Sequence, residues 1–289
     1  MPVETVKLTG KPVVEHLRGN IKIRVEKLKE NNIVPRILII RVGNKEDDVF
    51  YERSILKNCS FLGIEGEVKE LTYNVSMEEL SKIIEDANDD DSIHGIMMFR
   101  PLPEHLEEKK ILEKMNPKKD IDGMTPVNLG KIFEGDISGF SPCTPKAVIE
   151  MLKYYDIPLQ GSNVVVAGRS LVVGKPLTML LLKENATVTI CHSKTKNMSS
   201  ITSKADLVVA AIGKAKFMGQ EYFSESSIVI DVGVNDDGKG KICGDVDYDN
   251  IFGKVKALTP PTGGVGTITT TILLEQAVRA CEMITSDQH

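Results

Sequence analysis

The segment from Val164 to Leu177 constrains the fold of this chain more than any other part of the sequence. It reads VVVAGRSLVVGKPL: a run of β-branched residues stops at Gly168, a short loop follows, and a helix is predicted to begin near Pro176. A strand that ends at such a turn brings free helix N-terminal amides to where an anion can bind. The spacing Gly-x-Ser-x-x-x-Gly-x-Pro therefore indicates either a variant nucleotide-binding turn or an ordinary glycine turn between strand and helix.

Predicted helices and apolar strands alternate on both sides of that segment. The predicted helices cover residues 11–30, 48–62, 77–87, 146–155, 176–184 and 268–282. The predicted strands cover residues 36–43, 68–72, 94–99, 163–167, 187–191, 206–212 and 227–234. Strands that alternate with helices join into parallel sheets through right-handed crossovers, so we expect an α/β fold.

The length of 289 residues is typical of about two domains. Residues 115–145 are rich in Pro, Gly and Asp, and we expect them to connect the domains and to form part of a site. The first domain is predicted to span residues 1–143, joined by a C-terminal helix over residues 268–289 that packs back on it. Residues 144–267 are predicted to form a Rossmann-type dinucleotide-binding domain. A cleft is expected between the two.

Charge and cysteine content exclude several classes of protein. The net charge of −5 argues against nucleic acid or an anionic membrane as the main partner. The five cysteines are odd in number and form no Cys-x-x-Cys, so we expect free thiols and no bound metal. No signal peptide is recognisable, and no apolar run approaches the roughly 20 residues of a membrane helix. The sequence predicts a soluble cytoplasmic protein.

The end of the strand over residues 187–191 bears on the choice of dinucleotide. In NAD sites an Asp or Glu about 20 residues after the first glycine binds the ribose hydroxyls. Here the segment reads ICHSKTK, with Lys194 and Lys196 and no acid, and Arg169 lies in the first loop. Such cations favour the 2′-phosphate of NADP. The alternative is that the two lysines only face solvent on a loop.

Short motifs in the order of one known family extend over nearly the whole chain. They are VGN at 42–44 with Tyr51, PLP at 101–103, KDIDG at 119–123, PCTP at 142–145, GRS at 168–170 with VG at 173–174, CHS at 191–193, IDVGV at 230–234, GDV at 244–246, and TP at 259–260 with GGVG at 263–266. With these motifs the chain resembles the methylenetetrahydrofolate dehydrogenase/cyclohydrolase enzymes of one-carbon metabolism. The resemblance implies folate on the first domain, a nicotinamide dinucleotide on the second, and a homodimer.

The resemblance also implies roles for individual residues. Tyr51 and Asp122 would be catalytic and substrate-binding, and Phe99, Gly263 and Gly264 would contact the substrate. Tyr51 would orient the substrate, and Asp122 would hold the amino-pyrimidine part of the pterin by paired hydrogen bonds. The plainer alternatives are a half-buried packing tyrosine and a turn or cap aspartate.

The same resemblance assigns the cofactor-binding positions. They are Gly168, Arg169, Ser170, Val173, Gly174, Ser193, Gly213 and Val234. Arg169 and Ser193 stand where NADP-using relatives meet the 2′-phosphate, so NADP is the expected cofactor. NAD is the alternative, because relatives that are dehydrogenases only include NAD users.

Two positions depart from the pattern of the bifunctional members. Those members carry Tyr-x-x-x-Lys on a first-domain helix and a glutamine in Val-Gln-Leu-Pro-Leu-Pro, whereas this chain has Ile55 and Phe99, in MFRPLP. Hydrolysis of a methenyl bridge needs water activation and proton transfer, which isoleucine cannot supply. Lys57 lies about 200° around the helix from Ile55, so it is predicted on the outer side. The next residue, Arg100, is a cation whose direction the sequence leaves open.

The sequence therefore predicts a dehydrogenase that oxidises 5,10-methylenetetrahydrofolate to 5,10-methenyltetrahydrofolate and hydrolyses the product weakly or not at all. Three alternatives remain. The enzyme could be bifunctional and produce 10-formyltetrahydrofolate. It could be another two-domain NADP enzyme similar to shikimate dehydrogenase. It could also be a folate- or dinucleotide-binding protein without catalysis.

Overall fold

The computed structural model describes residues 4–286, which form helices and mostly short strands. The helices are α1 (Gly10–Glu30), α2 (Glu46–Leu62), α3 (Met77–Asp89), α4 (Glu108–Lys114), α5 (Pro126–Glu134), α6 (Cys143–Tyr154), α7 (Gly174–Lys183), α8 (Met198–Thr202), α9 (Tyr248–Ile251) and α10 (Gly266–Ser286). The strands are β1 (Val6–Lys7), β2 (Arg36–Val42), β3 (Glu65–Leu71), β4 (Gly95–Met98), β5 (Asn163–Ala167), β6 (Thr187–Cys191), β7 (Leu207–Ala210), β8 (Ile228–Asp231), β9 (Asn235–Asp236), β10 (Ile242–Cys243) and β11 (Ala257–Leu258). No helix within residues 4–286 has the length and apolar character that a membrane crossing requires.

The chain divides into two compact units. The three-stranded unit contains His16–Cys143 and the described residues from Thr270 onward. The six-stranded unit contains the described residues up to Glu15 together with Thr144–Thr269. Both units are built on parallel sheets with helices between the strands, so the predicted α/β fold class is confirmed.

The three-stranded unit has the strand order β3-β2-β4, and all strands run parallel. Strand β2 lies in the centre, which explains its nearly continuous apolar sequence RILIIRV. Its Ile40 packs with Leu80 and Ile84 of α3, and all three are fully buried. Burying each such side chain contributes about 1.5–3 kcal/mol to folding. Residues 119–120 pair with β4 in a parallel bridge, so the residues that follow them lie near the carboxyl edge of this sheet.

The sheet of the six-stranded unit has the strand order β1-β11-β8-β7-β5-β6, again with every pair parallel, and β9 and β10 form a separate antiparallel pair. After β5 the chain forms β6 on one side of that strand and then β7 on its other side. Such a reversal is the switch point where open α/β sheets bind ligands, outside the carboxyl ends of the strands. The sheet is held by buried aliphatic residues such as Val165, Val208 and Val229.

The C-terminal helix belongs to the predicted domain, whereas the N-terminal segment does not. Gln276 of α10 is fully buried and donates from Nε2 to the Ile121 carbonyl at 2.7 Å and to the Ser141 carbonyl at 3.0 Å. The prediction that this helix packs on the first domain is thereby confirmed. The segment up to residue 15, predicted in the first domain, belongs instead to the six-stranded unit, because β1 pairs with β11. Residues 1–3 and 287–289 of the predicted first domain lie outside the described part.

Several short elements were not predicted. Helices α4 and α5 fall in or near the segment that was predicted as a connection. Helix α5 begins at Pro126, and Thr125 accepts a hydrogen bond from the Asn128 amide at 3.3 Å. A proline at the first helical position promotes a helix rather than a loop. The segment therefore contains a helix that its composition did not indicate.

Candidate functional site

A pocket of about 240 Å³ lies at the carboxyl edge of the six-stranded sheet, at the switch point between β5 and β7. The loop after β5 contributes Gly168, Arg169 and Ser170, and the end of β6 contributes residues 191–193. The loop after β7 contributes Ile212 and Lys214. The nucleotide-binding interpretation of the β5 turn is favoured by this position, since ligands of doubly wound sheets bind there.

Two glycines allow the loops of this pocket to approach each other. Gly168 has φ +143°, and a Cβ on it would overlap the carbonyl of Ala211 in the loop after β7. A Cβ on Gly174 would overlap the carbonyl of Gly168. Ser170 Oγ accepts a hydrogen bond from the Val173 amide at 3.0 Å, which fixes the turn into α7. The positive end of the α7 dipole is thus held beside the pocket, as a phosphate site requires.

The structure brings most of the predicted cofactor residues to this edge. Gly168, Arg169, Ser170 and Ser193 line the pocket. Gly213 lies between two lining residues, and Val173 and Gly174 form the start of α7 behind it. Val234 follows β8 with 69% of its surface exposed and lies outside the pocket lining.

The cations at the pocket differ from those that the sequence suggested. Lys194 and Lys196 are exposed and lie outside the pocket lining, which favours their alternative interpretation as solvent-facing loop residues. Lys214 lines the pocket instead, together with Arg169. The sequence signal that could have identified Lys214 is its place directly after Gly213, in the turn that ends β7.

One buried aspartate, Asp245, holds the loop after β7. The fully buried Asp245 carboxylate accepts from the amides of Ile212 at 2.6 Å, Gly213 at 3.0 Å and Lys214 at 2.8 Å. It also accepts from Asn235 Nδ2 at 3.0 Å. Asp245 belongs to the GDV motif, for which the sequence predicted no role. Its partners show that it shapes one wall of the pocket.

Asp231 supports Asp245 from behind. Its carboxylate accepts from the backbone amides of Asp245 at 3.1 Å and Val246 at 2.9 Å. Burial raises the pKa of Asp231 to about 6, although hydrogen bonds from the amides of Val246, Gly233 and Asp245 lower it. The two motifs that carry these aspartates, IDVGV and GDV, thus form one connected support.

In the three-stranded unit, Tyr51 and Phe99 meet at the carboxyl edge of the sheet. Tyr51 comes from α2 and Phe99 follows β4, and their ring centroids lie 6.1 Å apart with an interplanar angle of 89°. The Tyr51 hydroxyl also accepts from Thr270 Oγ1 at 3.3 Å. Ile55, one turn further along α2, is fully buried, whereas Lys57 is exposed as predicted. Phe99 is only 7% exposed, so both positions that depart from the bifunctional pattern, Ile55 and Phe99, hold buried apolar side chains.

Asp122 lies at the same edge and makes an ion pair that the sequence did not reveal. Arg100 Nη2 lies 3.6 Å from Asp122 Oδ2. Loss of hydration raises the pKa of Asp122 to about 6, against the Arg100 charge, which lowers it. The turn and cap functions belong to the neighbouring Asp120, which accepts from the Thr125 amide at 2.7 Å and from Asn128 Nδ2 at 2.9 Å. The turn-aspartate alternative therefore fits Asp120 and not Asp122.

Gly263 and Gly264 lie in the loop between β11 and α10, in the six-stranded unit. The Gly263 carbonyl accepts a hydrogen bond from the Gly10 amide at 2.7 Å. Their contact with the substrate stays a prediction.

Two family models match this chain. The catalytic domain of tetrahydrofolate dehydrogenase/cyclohydrolase matches residues 8–122, and the NAD(P)-binding domain of the same enzymes matches residues 142–285. The chain belongs to the tetrahydrofolate dehydrogenase/cyclohydrolase family. The resemblance drawn from the short motifs is confirmed, and the alternative of a shikimate-dehydrogenase-like enzyme is excluded.

Relatives in this family match almost end to end. Bifunctional protein FolD 1 of Desulfitobacterium hafniense (strain Y51) is 54% identical over 275 residues, which cover 95% of this chain and 98% of the relative. The bifunctional FolD structure from Campylobacter jejuni has a TM-score of 0.94 at 38% identity, covering 96% of this chain and 99% of its own. A Trypanosoma brucei dehydrogenase-cyclohydrolase, solved with NADP and an inhibitor, has a TM-score of 0.91 at 31% identity, with coverages of 98% and 99%. All three names describe enzymes with two activities.

Proposed function

We propose that this family member oxidises 5,10-methylenetetrahydrofolate to 5,10-methenyltetrahydrofolate with NADP, and that its cyclohydrolase activity is absent or weak. The observation that carries the proposal is that Ile55 and Phe99 are both buried apolar side chains. Ile55 is fully buried and Phe99 packs on Tyr51, so neither position offers a titratable group. Proton transfer for hydrolysis requires such a group within hydrogen-bond reach.

Hydride transfer makes smaller demands, because it depends mainly on positioning and electrostatics. The Asp122 carboxylate is proposed to accept paired hydrogen bonds from the amino-pyrimidine of the pterin. The Tyr51 ring, held by Phe99 and Thr270, is proposed to orient the substrate. Gly263 and Gly264 are proposed to contact it from the loop before α10.

The pocket at the six-stranded sheet suits NADP. The Gly168 turn leads into the start of α7, whose free amides are proposed to bind the phosphates. Arg169, Ser193 and Lys214 line the pocket and suit a 2′-phosphate, and the end of β6 carries no acid to bind ribose hydroxyls. When bound, NADP accepts the hydride. The further cofactor contacts of Val173, Gly174, Gly213 and Val234 are part of the same proposal.

A bifunctional enzyme is the second candidate, and the names of the relatives favour it. A single assay separates the two. Purified protein receives methylenetetrahydrofolate and NADP, and cofactor reduction is followed together with the absorbance of the methenyl product. We expect one molecule of methenyltetrahydrofolate to accumulate for each molecule of NADP reduced. This product should then disappear no faster than it hydrolyses without enzyme.

The substituted positions supply the variants for this assay. Ile55→Lys with Phe99→Gln is expected to raise methenyl hydrolysis above the spontaneous rate, because it restores the cation and the amide. Ile23→Lys, at a 59% exposed position of α1, is the matched control and is expected to leave hydrolysis unchanged. Rapid formation of 10-formyltetrahydrofolate by the unmodified protein, unaffected by Ile55→Ala, would contradict the proposal.

A homodimer and a cytoplasmic location follow from the resemblance and the composition alone, and both stay predictions.

A further inference from the structure

Arg100 is held on two sides by carboxylates. Its Nη1 lies 3.1 Å from Glu108 Oε1 and its Nη2 lies 3.6 Å from Asp122 Oδ2. Glu108 is itself fixed, because its second oxygen accepts from the Leu102 amide at 3.2 Å. The Arg100 side chain is only 15% exposed, so its guanidinium is confined between these partners.

Arg100 also marks a departure from the family pattern. It stands where the motif Val-Gln-Leu-Pro-Leu-Pro has its first leucine, directly after Phe99. A guanidinium is always charged and has five donors in a rigid fork, which a leucine cannot replace. The three-stranded unit of this chain therefore carries a cation beside Asp122 that the motif does not provide.

The surroundings of Asp122 oppose its negative charge. Loss of hydration is the largest effect and raises the pKa of the carboxyl, and the neighbouring Asp120 raises it further. The Arg100 charge is the largest effect in the other direction, and hydrogen bonds from the Cys143 thiol and from Arg100 add to it. Removing Arg100 would therefore leave a poorly hydrated carboxyl beside another aspartate.

We infer that Arg100 is a positioning residue that keeps the Asp122 carboxylate ionised for the pterin, with Glu108 as its anchor. The inference rests on the proposed function, in which Asp122 binds the substrate. The amino-pyrimidine of a pterin presents two N–H donors, and only an ionised carboxylate offers two acceptor oxygens. The O–H group of a protonated Asp122 would instead face one of the N–H donors of the pterin.

The test compares Arg100→Leu and Arg100→Lys with the unmodified enzyme between pH 6 and pH 8.5. An opposite charge within about 4–6 Å lowers a carboxyl pKa by about 1–3, so losing Arg100 should raise the pKa of Asp122 by at least about one. If the pKa of Asp122 rises by about one, the KM for methylenetetrahydrofolate should increase about fivefold at pH 6, about twofold at pH 7 and hardly at pH 8. We expect kcat to change little and Arg100→Lys to restore most of the affinity.

The matched control is Arg36→Leu, because Arg36 pairs with Glu67 at 2.5 Å at the opposite end of the same sheet. It is expected to leave the pH profile of KM unchanged. An Arg100→Leu variant whose KM rises equally at every pH would overturn the inference, since that result indicates a merely structural role. An Arg100→Leu variant whose KM has the same pH profile as the unmodified enzyme would also overturn it.

A titration without substrate separates this inference from the proposed function. The ¹³C signal of the Asp122 carboxyl, assigned with Asp122→Asn, is followed by NMR in the ligand-free protein. We expect its pKa to rise in Arg100→Leu, and an unchanged pKa would overturn the inference. If Asp122→Asn leaves the KM for the folate unchanged, the substrate-binding role fails instead, whatever the titration shows.

Discussion

The fully buried Asp245 holds the loop after β7 and is expected to influence the affinity for the cofactor through that loop. Its carboxylate accepts from three successive amides of the loop after β7, which lines the nucleotide pocket. In Asp245→Asn an acceptor oxygen becomes a donor, so at least one amide loses its partner, at a cost of about 1–3 kcal/mol. Steady-state kinetics should show a KM for NADP about tenfold higher and a folate KM within about twofold.

The control for this prediction is Asp206→Asn. Asp206 Oδ2 accepts from the Asn163 amide at 2.8 Å, at the amino end of β5 and therefore at the opposite edge of the same sheet. Its substitution is expected to leave both KM values unchanged. An equal rise of the two KM values in Asp245→Asn would indicate general destabilisation and contradict a specific effect on the loop.

The sequence predicted single residues well where helical geometry decides their direction. Ile55 and Lys57 were predicted on opposite sides of one helix, and the structure buries the first and exposes the second. Arg100 could not be predicted in this way, because it follows a strand and its direction depends on the loop and on two distant carboxylates. Lys214 also follows a strand, so helical geometry gave no direction for its side chain either.

At the scale of an element, the end of β6 is the place where the proposed choice of dinucleotide is decided. Ser193 lies in the turn after this strand and lines the pocket. An aspartate there would repel the 2′-phosphate of NADP and could bind the free ribose hydroxyls of NAD. Ser193→Asp is expected to lower the ratio of kcat/KM for NADP to that for NAD at least about tenfold, or about 1.4 kcal/mol.

Ser226→Asp adds the same charge at an exposed position before β8, at the opposite edge of the sheet, and serves as the matched control. Its cofactor ratio should equal that of the unmodified enzyme. A preference for NAD in the unmodified enzyme would refute the NADP proposal directly. An unaltered ratio in Ser193→Asp would show that Ser193 does not face the 2′-position.

Long periodic elements were predictable and short ones were not. The amphipathic pattern gave α1, α2 and α3, and the apolar runs gave β2 and β5, since burial of one face decides their sequence. Strands β1 and β11 have only two residues each, too few to show any period. Their pairing is what places the N-terminal segment in the six-stranded unit, so the domain assignment of that segment could not follow from the pattern.

At the scale of the whole molecule, the proposed substrate site has a cost in stability. The pKa of Asp122 is raised to about 6 from an ordinary value of 3.8, so folding disfavours its ionised form. The cost is full above about pH 6, shrinks as the pH falls, and vanishes below about pH 4. Asp122→Asn removes it, so at pH 8 the variant should gain about 1–3 kcal/mol, or roughly 2–4 °C in Tm for each kcal/mol.

Asp90→Asn provides a control of opposite sign for this prediction. Hydrogen bonds from Ser92 lower the pKa of Asp90, so its ionised form is favoured by folding and its replacement should reduce Tm at pH 8. Calorimetry at pH 8 and at pH 4 tests both variants. A gain for Asp122→Asn that persists at pH 4 would show that packing, and not charge, is responsible. A gain confined to neutral and alkaline pH, together with a lost affinity for folate, would identify Asp122 as a residue kept for function at the expense of stability.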